Sequence, residues 1–132
     1  MDKEKIASEN YKKGYNCAQA VLSAYAAELG MDETTAYKLM EGLGGGVGGM
    51  REVCGAFSAA AVVISYYTSS GSMDGKSKAD TYKTVRRAAD LFKERYGSVI
   101  CREILQNDPA PCHEKVEQAV RVIQQIISET EK

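Results

Sequence analysis

Residues 42–56 read Gly-Leu-Gly-Gly-Gly-Val-Gly-Gly-Met-Arg-Glu-Val-Cys-Gly-Ala, and the rest of the chain is organised around them. Six glycines lie between Gly42 and Gly49. Because each glycine raises the entropic cost of ordering the backbone, such a run indicates positive φ angles or a close approach to another group. Cys54 follows directly, early in the most apolar helix that the sequence predicts. The stretch therefore predicts a glycine-rich loop that leads into a helix carrying a cysteine.

Residues 50–69 form the predicted central helix. Alanine, valine, isoleucine and aromatic residues leave almost no polar face, and a helix that is apolar all round is buried all round. The alanines before Val62, Val63 and Ile64 favour a helix over a strand. Gly55 and Ala59 lie four residues apart, so they predict a close crossing with a neighbouring helix.

The spacing of apolar residues elsewhere predicts further helices and no strand. Asn16, Asp32 and Ser98 are predicted N-terminal caps, and Gly30 and Gly97 are predicted C-terminal stops. The further helices cover about residues 2–13, 17–29, 33–41, 77 or 80 to 96, 99–105 and 111–128. We predict an all-α fold in one domain, residues 1–132: a helical bundle of about six helices around the central helix.

Composition and charge argue against several classes of protein. The net charge is −1 with no basic stripe, which gives nucleic-acid binding little electrostatic support. The longest apolar run, about residues 56–67, falls short of the roughly 20 residues of a membrane helix, and the charged N-terminus lacks an apolar signal core. We expect a cytoplasmic protein that neither binds nucleic acid nor inserts directly into a membrane. The apolar central helix leaves a homodimer open.

All four cysteines, Cys17, Cys54, Cys101 and Cys112, fall near predicted helix N-termini. There the unpaired N–H groups and the helix dipole favour negative charge, so the pKa of a thiol is lowered and its reactive thiolate form is favoured. We predict that the four thiols share one region and act as catalytic groups, with Cys54 the best candidate for a reactive thiolate. The alternative is simple burial, since cysteine is often a buried apolar residue.

The chemistry of the four thiols stays open between disulfide exchange and metal binding. The sequence has no Cys-x-x-Cys pair, which removes the usual zinc and ferredoxin spacings. Converging helix N-termini could still let Cys17, Cys54, Cys101 and Cys112 hold an iron–sulfur cluster or zinc. Cys101 and Cys112 flank a short loop and are the predicted pair for a reversible disulfide, provided their Cα atoms lie within about 7 Å. His113 is a weaker candidate ligand, and a Cys–His hydrolase lacks an orienting group.

The glycine segment matches no nucleotide-binding motif, because no Gly-Lys-Ser/Thr follows it and no strand precedes it. Backbone N–H groups before a helix can nevertheless hold an anion or a cluster sulfide. We predict a cofactor-binding wall made of five glycines, Gly44, Gly45, Gly46, Gly48 and Gly49. The alternative is close packing of bare backbone against a neighbouring helix.

The order of these motifs resembles a known family. Tyr15-Asn16-Cys17-Ala18-Gln19-Ala20, the glycine run into Cys54-Gly55-Ala56, and the late Cys101 and Cys112 resemble the family named for its C-GCAxxG-C-C cysteine pattern. Its members are described as redox-active and are often encoded near transporter genes. The resemblance implies a thiol-based redox function and a redox partner protein or transporter-linked system.

Two points limit the resemblance. Ala59 stands where the family's central motif ends in glycine, so a requirement for bare backbone there would not be met. The alternative function is a non-catalytic helical scaffold or interaction module whose cysteines are structural or merely buried.

Overall fold

The computed structural model describes residues 2–108 and 112–130, which form seven α-helices and a short 3-10 turn at Glu41–Leu43. The helices are α1 Lys3–Lys12, α2 Cys17–Tyr25, α3 Glu33–Met40, α4 Gly55–Thr68, α5 Lys78–Tyr96, α6 Cys101–Asn107 and α7 Cys112–Thr130. The predicted all-α fold is confirmed, with six helices besides the central one, as expected. No helix within these described ranges has both the length and the apolar character needed to cross a bilayer.

Helix α4 lies in the core, as predicted, and packs against α2, α5 and α7. It shares the centre with α2, which also contacts α1, α3 and α7. The crossing of α2 and α4 is close at Gly55, where an added Cβ would lie 2.8 Å from the Leu43 carbonyl oxygen and 3.3 Å from the Ala18 nitrogen. Ala59 is fully buried, so the fold accommodates its methyl group. The prediction that this helix is buried on all sides is wrong for its last turn, where Tyr66 is 53% exposed.

Local capping signals place most helix ends. Asn16 caps α2 in a reciprocal capping box with Gln19, and the Asp32 side chain accepts a hydrogen bond from the Thr35 N–H. Gly97 ends α5 in the left-handed conformation. Ser98 does not cap α6 directly: its hydroxyl accepts from the Ile100 N–H, and the helix begins at Cys101. The predicted first-turn Pro111 lies outside the described residues.

Residues 50–54 are not helical, which corrects the predicted start of the central helix from residue 50 to Gly55. An isolated antiparallel bridge joins Val53 to Ile100. The Cys54 N–H donates to the Val99 carbonyl at 2.8 Å, and the Cys101 N–H donates to the Glu52 carbonyl at 2.5 Å. Because this pairing satisfies the backbone of both segments, it replaces the first helical turn and brings Cys54 close to Cys101.

The glycine segment makes a left-handed turn. Five consecutive residues, 45–49, have φ between 59° and 75°, a conformation that costs an ordinary L-residue roughly 1–2 kcal/mol. The turn is closed by its own hydrogen bonds, among them Gly48 N–H to the Gly42 carbonyl at 2.7 Å and Glu52 N–H to the Gly46 carbonyl at 2.8 Å. Glycine fills four of the five positions, so the run supplies the backbone freedom that this turn requires.

Candidate functional site: a cavity lined by four thiols

The four cysteines line one small cavity of about 30 Å³. Cys17 and Cys101 are the first residues of α2 and α6, Cys54 is the N-cap of α4, and Cys112 is the first described residue of α7. All four are free thiols. The structure thus brings together the thiols that the helix-start pattern singled out, around a space that holds little more than a water molecule or two.

Cys17 and Cys112 form a hydrogen-bonded pair across α2 and α7. The Cys17 thiol donates to the Cys112 sulfur, and the Tyr11 hydroxyl donates to the same sulfur. The hydrogen bond from Cys17 is the main reason that the pKa of Cys112 falls to about 6; burial opposes it, while Tyr11 and the charges of Lys115 and Arg51 add to it. Negative charge in this pair is therefore favoured on Cys112 rather than on Cys17.

The donors of these hydrogen bonds are correspondingly held in their protonated forms. The pKa of Cys17 is raised, first by its hydrogen bond to Cys112 and then by burial. The pKa of Tyr11 is raised to about 12 by burial, by the negative charges of Cys112 and Cys17, and by the hydrogen bond to Cys112. In this part of the site, Cys112 is thus the group that ionises most readily, and Cys17 and Tyr11 favour its ionisation.

Two cations face the thiols from different elements. Lys115 lies on α7 and is 3% exposed; its Nζ donates to the Asp108 carbonyl at 3.3 Å and lies 5.5 Å from the centre of the Tyr96 ring. Arg51 follows the left-handed turn, and its Nη1 lies 3.8 Å from the Cys101 sulfur. Since a buried cation stabilises a nearby anion more than an exposed one does, Lys115 favours negative charge on the sulfur one turn before it.

Cys54, the candidate for a reactive thiolate, lies in a less favourable environment than Cys112. It is 4% exposed, and burial raises the pKa of its thiol, although the N–H groups of Phe57 and Ala56 partly offset this. The N-cap position supplies the expected dipole, but loss of hydration outweighs it. A reactive Cys54 stays a prediction, but its burial, which the sequence could not show, disfavours the thiolate form.

The hydrogen-bonded partner of Cys112 is Cys17, whereas the short loop between Cys101 and Cys112 predicts that Cys101 is the partner. Cys101 contacts Arg51 and lines the same cavity as Cys112. A disulfide between Cys101 and Cys112 stays a prediction. In the structure, Cys17 is the better candidate for the partner of Cys112 because the two thiols are in contact.

The five glycines predicted as a cofactor wall have separate roles. Gly45 and Gly46 line the cavity. Gly44 packs its bare backbone against the Asn16 side chain. Gly48 and Gly49 donate their N–H groups to the Gly42 and Gly44 carbonyls at 2.7 and 3.1 Å, so these two amides are already paired within the turn, and a cofactor-binding role for the five glycines stays a prediction.

A metal site receives no geometric support from this arrangement. Within residues 2–108 and 112–130, no group of three or more His, Cys, Asp or Glu residues is placed to hold a metal ion. His113 is half-buried and is not among the residues that line the cavity. Iron–sulfur or zinc binding by the four cysteines stays a prediction.

A larger, open groove adjoins the thiol cavity and has a volume of about 330 Å³. Its lining includes Tyr11, Tyr15 and Asn16, and it shares Cys17, Gly45, Arg51 and Cys112 with the inner cavity. Cys17 and Cys112 therefore face a space that a solute can enter. Sequence reasoning missed Tyr11 and Arg51. The position of Arg51 between the glycine run and Cys54 was the one local signal for either residue.

Comparison with known proteins identifies the family. A family model described as "Putative redox-active protein (C_GCAxxG_C_C)" matches residues 15–126, a span that includes all four cysteines. No curated protein and no solved structure matches the chain significantly. Because the family model covers most of its length, the chain belongs to this family. The family's description supports a redox role in general terms.

Proposed function

We propose that this member of the C_GCAxxG_C_C redox family exchanges two electrons with disulfides through Cys112 and Cys17. The observation that carries the proposal is that Cys17 and Cys112 line the same inner cavity and the same open groove, where the two thiols interact through a hydrogen bond. Thiol–disulfide exchange needs one thiolate to attack, a second thiol within reach of it, and access for the substrate. Cys112, Cys17 and the groove meet these three needs.

The reaction balances in two steps. The Cys112 thiolate attacks one sulfur of a disulfide R–S–S–R′, so that Cys112–S–S–R forms and R′–S⁻ leaves. Cys17 then gives its proton to the departing thiolate or to solvent and attacks the Cys112 sulfur. R–S⁻ leaves and a Cys17–Cys112 disulfide remains. The substrate has gained two electrons, the protein has lost two, and an external dithiol returns the protein to its starting state by the reverse route.

The pair also controls the order of the two steps. In the resting state the pKa of Cys17 is raised first by its hydrogen bond to Cys112 and, after burial, by the charge of Cys112. When Cys112 enters the mixed disulfide it loses that charge, so these two causes disappear. The Asn16-capped N-terminus of α2 then favours ionisation of Cys17. The resolving thiol therefore becomes nucleophilic only after the attack by Cys112.

Lys115, Arg51 and Tyr11 support the chemistry without changing bonds. Each favours negative charge at the Cys112 sulfur. That stabilisation makes Cys112 a good leaving group when the disulfide is reduced again, because exchange is faster when the leaving thiol has a low pKa.

Trapping of the mixed disulfide tests the proposal. Protein purified without oxygen is mixed with a small disulfide, and the products are mapped by mass spectrometry. Wild type should give a Cys17–Cys112 disulfide, Cys17→Ser should accumulate the mixed disulfide on Cys112, and Cys112→Ser should do neither. Cys54→Ser and Cys101→Ser are the matched controls and should still form the Cys17–Cys112 bond. A product linking Cys101 to Cys112 would contradict the proposed pair.

The alternatives are separated by the same preparation. An iron–sulfur spectrum, or bound zinc that protects all four thiols, would replace disulfide exchange with a metal site. Four thiols that neither oxidise nor bind metal would support the scaffold interpretation.

A further inference from the structure

We infer that the open groove beside Cys112 binds low-molecular-weight disulfides that carry a carboxylate, and that Arg51 recognises this carboxylate. The inference rests on the proposed function, because it names the substrate class of that reaction. A groove of about 330 Å³ lies at the lower end of the range for small-molecule sites.

Arg51 is the groove's charged recognition group. The residues that line the groove in the described part of the chain include no carboxylate. The Tyr15 hydroxyl already donates to Glu33 at 2.8 Å. The Asn16 side chain is committed to the cap of α2 and to the Glu41 carbonyl. Arg51 therefore remains as the cation that a bound solute meets.

The pairing of Arg51 differs from that of four of the five other arginines in the described ranges. Arg87, Arg95, Arg102 and Arg121 each form an ion pair with a glutamate. The Arg51 side chain makes one hydrogen bond among the described residues, the 3.8 Å contact to the Cys101 sulfur. A guanidinium carries five N–H donors in a planar fork that matches a carboxylate. The Arg51 side chain therefore still has N–H donors for a ligand at the border between the groove and the inner cavity.

The backbone of Arg51 is held in an unfavourable conformation. Its φ is 62°, a left-handed conformation that non-glycine residues rarely adopt and that is typical of functional positions. The Arg51 N–H donates to the Gly45 carbonyl at 2.9 Å, and its carbonyl accepts from the Arg102 N–H at 3.1 Å. Both sides of the residue are thus fixed, and the side chain lines the groove and the inner cavity at once.

A charge series of small disulfides tests this inference. The probes are dithiodipropionate (anionic), hydroxyethyl disulfide (neutral) and cystamine (cationic), reacted with anaerobic full-length protein at pH 7 and low salt. Wild type should prefer the anionic over the cationic probe, and Arg51→Gln should reduce this rate ratio by about five- to tenfold. Arg51→Lys should keep much of the ratio, and added salt should lower it in wild type because screening weakens exposed charges. The ratio cancels any general effect of Arg51 on the nucleophilicity of Cys112.

Arg102→Gln is the matched control, since Arg102 is an exposed arginine paired with Glu52, outside the groove lining. It should leave the ratio unchanged. An unchanged ratio in Arg51→Gln, in protein that is folded by circular dichroism, would overturn the inference and leave the proposed function intact. A wild-type protein inert toward all three probes would instead overturn the proposed function.

Discussion

The thiol of Cys17 donates a hydrogen bond to the sulfur of Cys112. The two residues begin the described parts of α2 and α7, helices that pack against each other and are both in contact with α1 and α4. This one contact makes two chemically identical side chains unequal, since it lowers the pKa of Cys112 and raises that of Cys17. The following predictions derive from that asymmetry and from the turn that flanks it.

Cys112 should be alkylated at lower pH than an ordinary cysteine. Its pKa of about 6 lies well below the usual value near 8.5, so the rate of reaction with iodoacetamide should rise through a midpoint near pH 6. Peptide mapping should assign this phase to Cys112, and Cys112→Ser should remove it. Buried Cys54 is the internal control and should react slowly until the protein unfolds. A first phase that maps to Cys54 would contradict the assignment.

Removal of the donor on Cys17 should raise the pKa of Cys112. A hydrogen bond to a charged group is worth about 1.5–3 kcal/mol, and one pH unit corresponds to about 1.4 kcal/mol. Cys17→Ala should therefore move the alkylation midpoint upward by about one to two pH units. Cys17→Ser keeps a hydroxyl donor and should move it less. Equal midpoints in wild type and Cys17→Ala would show that the hydrogen bond does not set the ionisation of Cys112.

The stability of the folded protein should depend on pH through Cys112. Because its pKa is lower in the folded state than in the unfolded state, its contribution is fully present above about pH 8.5 and is lost as the pH falls through about 6. The difference in the free energy of unfolding between wild type and Cys112→Ser should decrease as the pH is lowered through this window. Urea denaturation of the reduced proteins measures it. A difference that stays constant from pH 9 to pH 5 would be inconsistent with a thiolate in the fold.

Gly46→Ala should destabilise the protein more than alanine at Gly48 or Gly42. Gly46 has a φ of 75°, and an added Cβ would lie 2.7 Å from the Arg51 Cα and the Glu52 nitrogen. Backbone cannot move aside as a flexible side chain can, so we expect a loss of more than about 2 kcal/mol. Gly48→Ala also has positive φ but meets open space, so about 1–2 kcal/mol is expected.

Gly42→Ala is the control without either penalty, since no positive φ and no neighbour within 4 Å constrain it. Urea unfolding of the three variants should rank Gly46→Ala as the least stable and Gly42→Ala as the most stable. Equal losses at positions 42 and 46 would contradict the role assigned to the turn.

Local sequence signals predicted much of the fold. Asn16, Asp32 and Gly97 act within one helical turn of their own positions, so the ends they set could be inferred from neighbouring residues alone. The non-helical conformation of residues 50–54 could not be inferred in this way. It depends on hydrogen bonds to residues 99–102, far along the chain. The apolar run that follows gave no sign that the helix would start at Gly55.

The candidate site was predicted in its membership but not in its order of reactivity. Helix N-termini indicated all four cysteines. The difference between Cys54 and Cys112 arises from burial and from the tertiary neighbours Tyr11 and Cys17, which no spacing encodes. Lys115, one turn after Cys112 on a helix, was the available local signal, since residues three apart share a face.

The left-handed turn at residues 45–49 has a consequence for chirality. Over these five residues the chain follows a path that D-amino acids prefer and L-amino acids avoid. At Gly48 and Gly49 an added side chain would meet open space, so glycine is required there for its lack of handedness rather than for its small size. A D-alanine introduced by chemical synthesis at position 48 should avoid the backbone strain that L-alanine carries there, because a positive φ is the ordinary conformation of a D-residue.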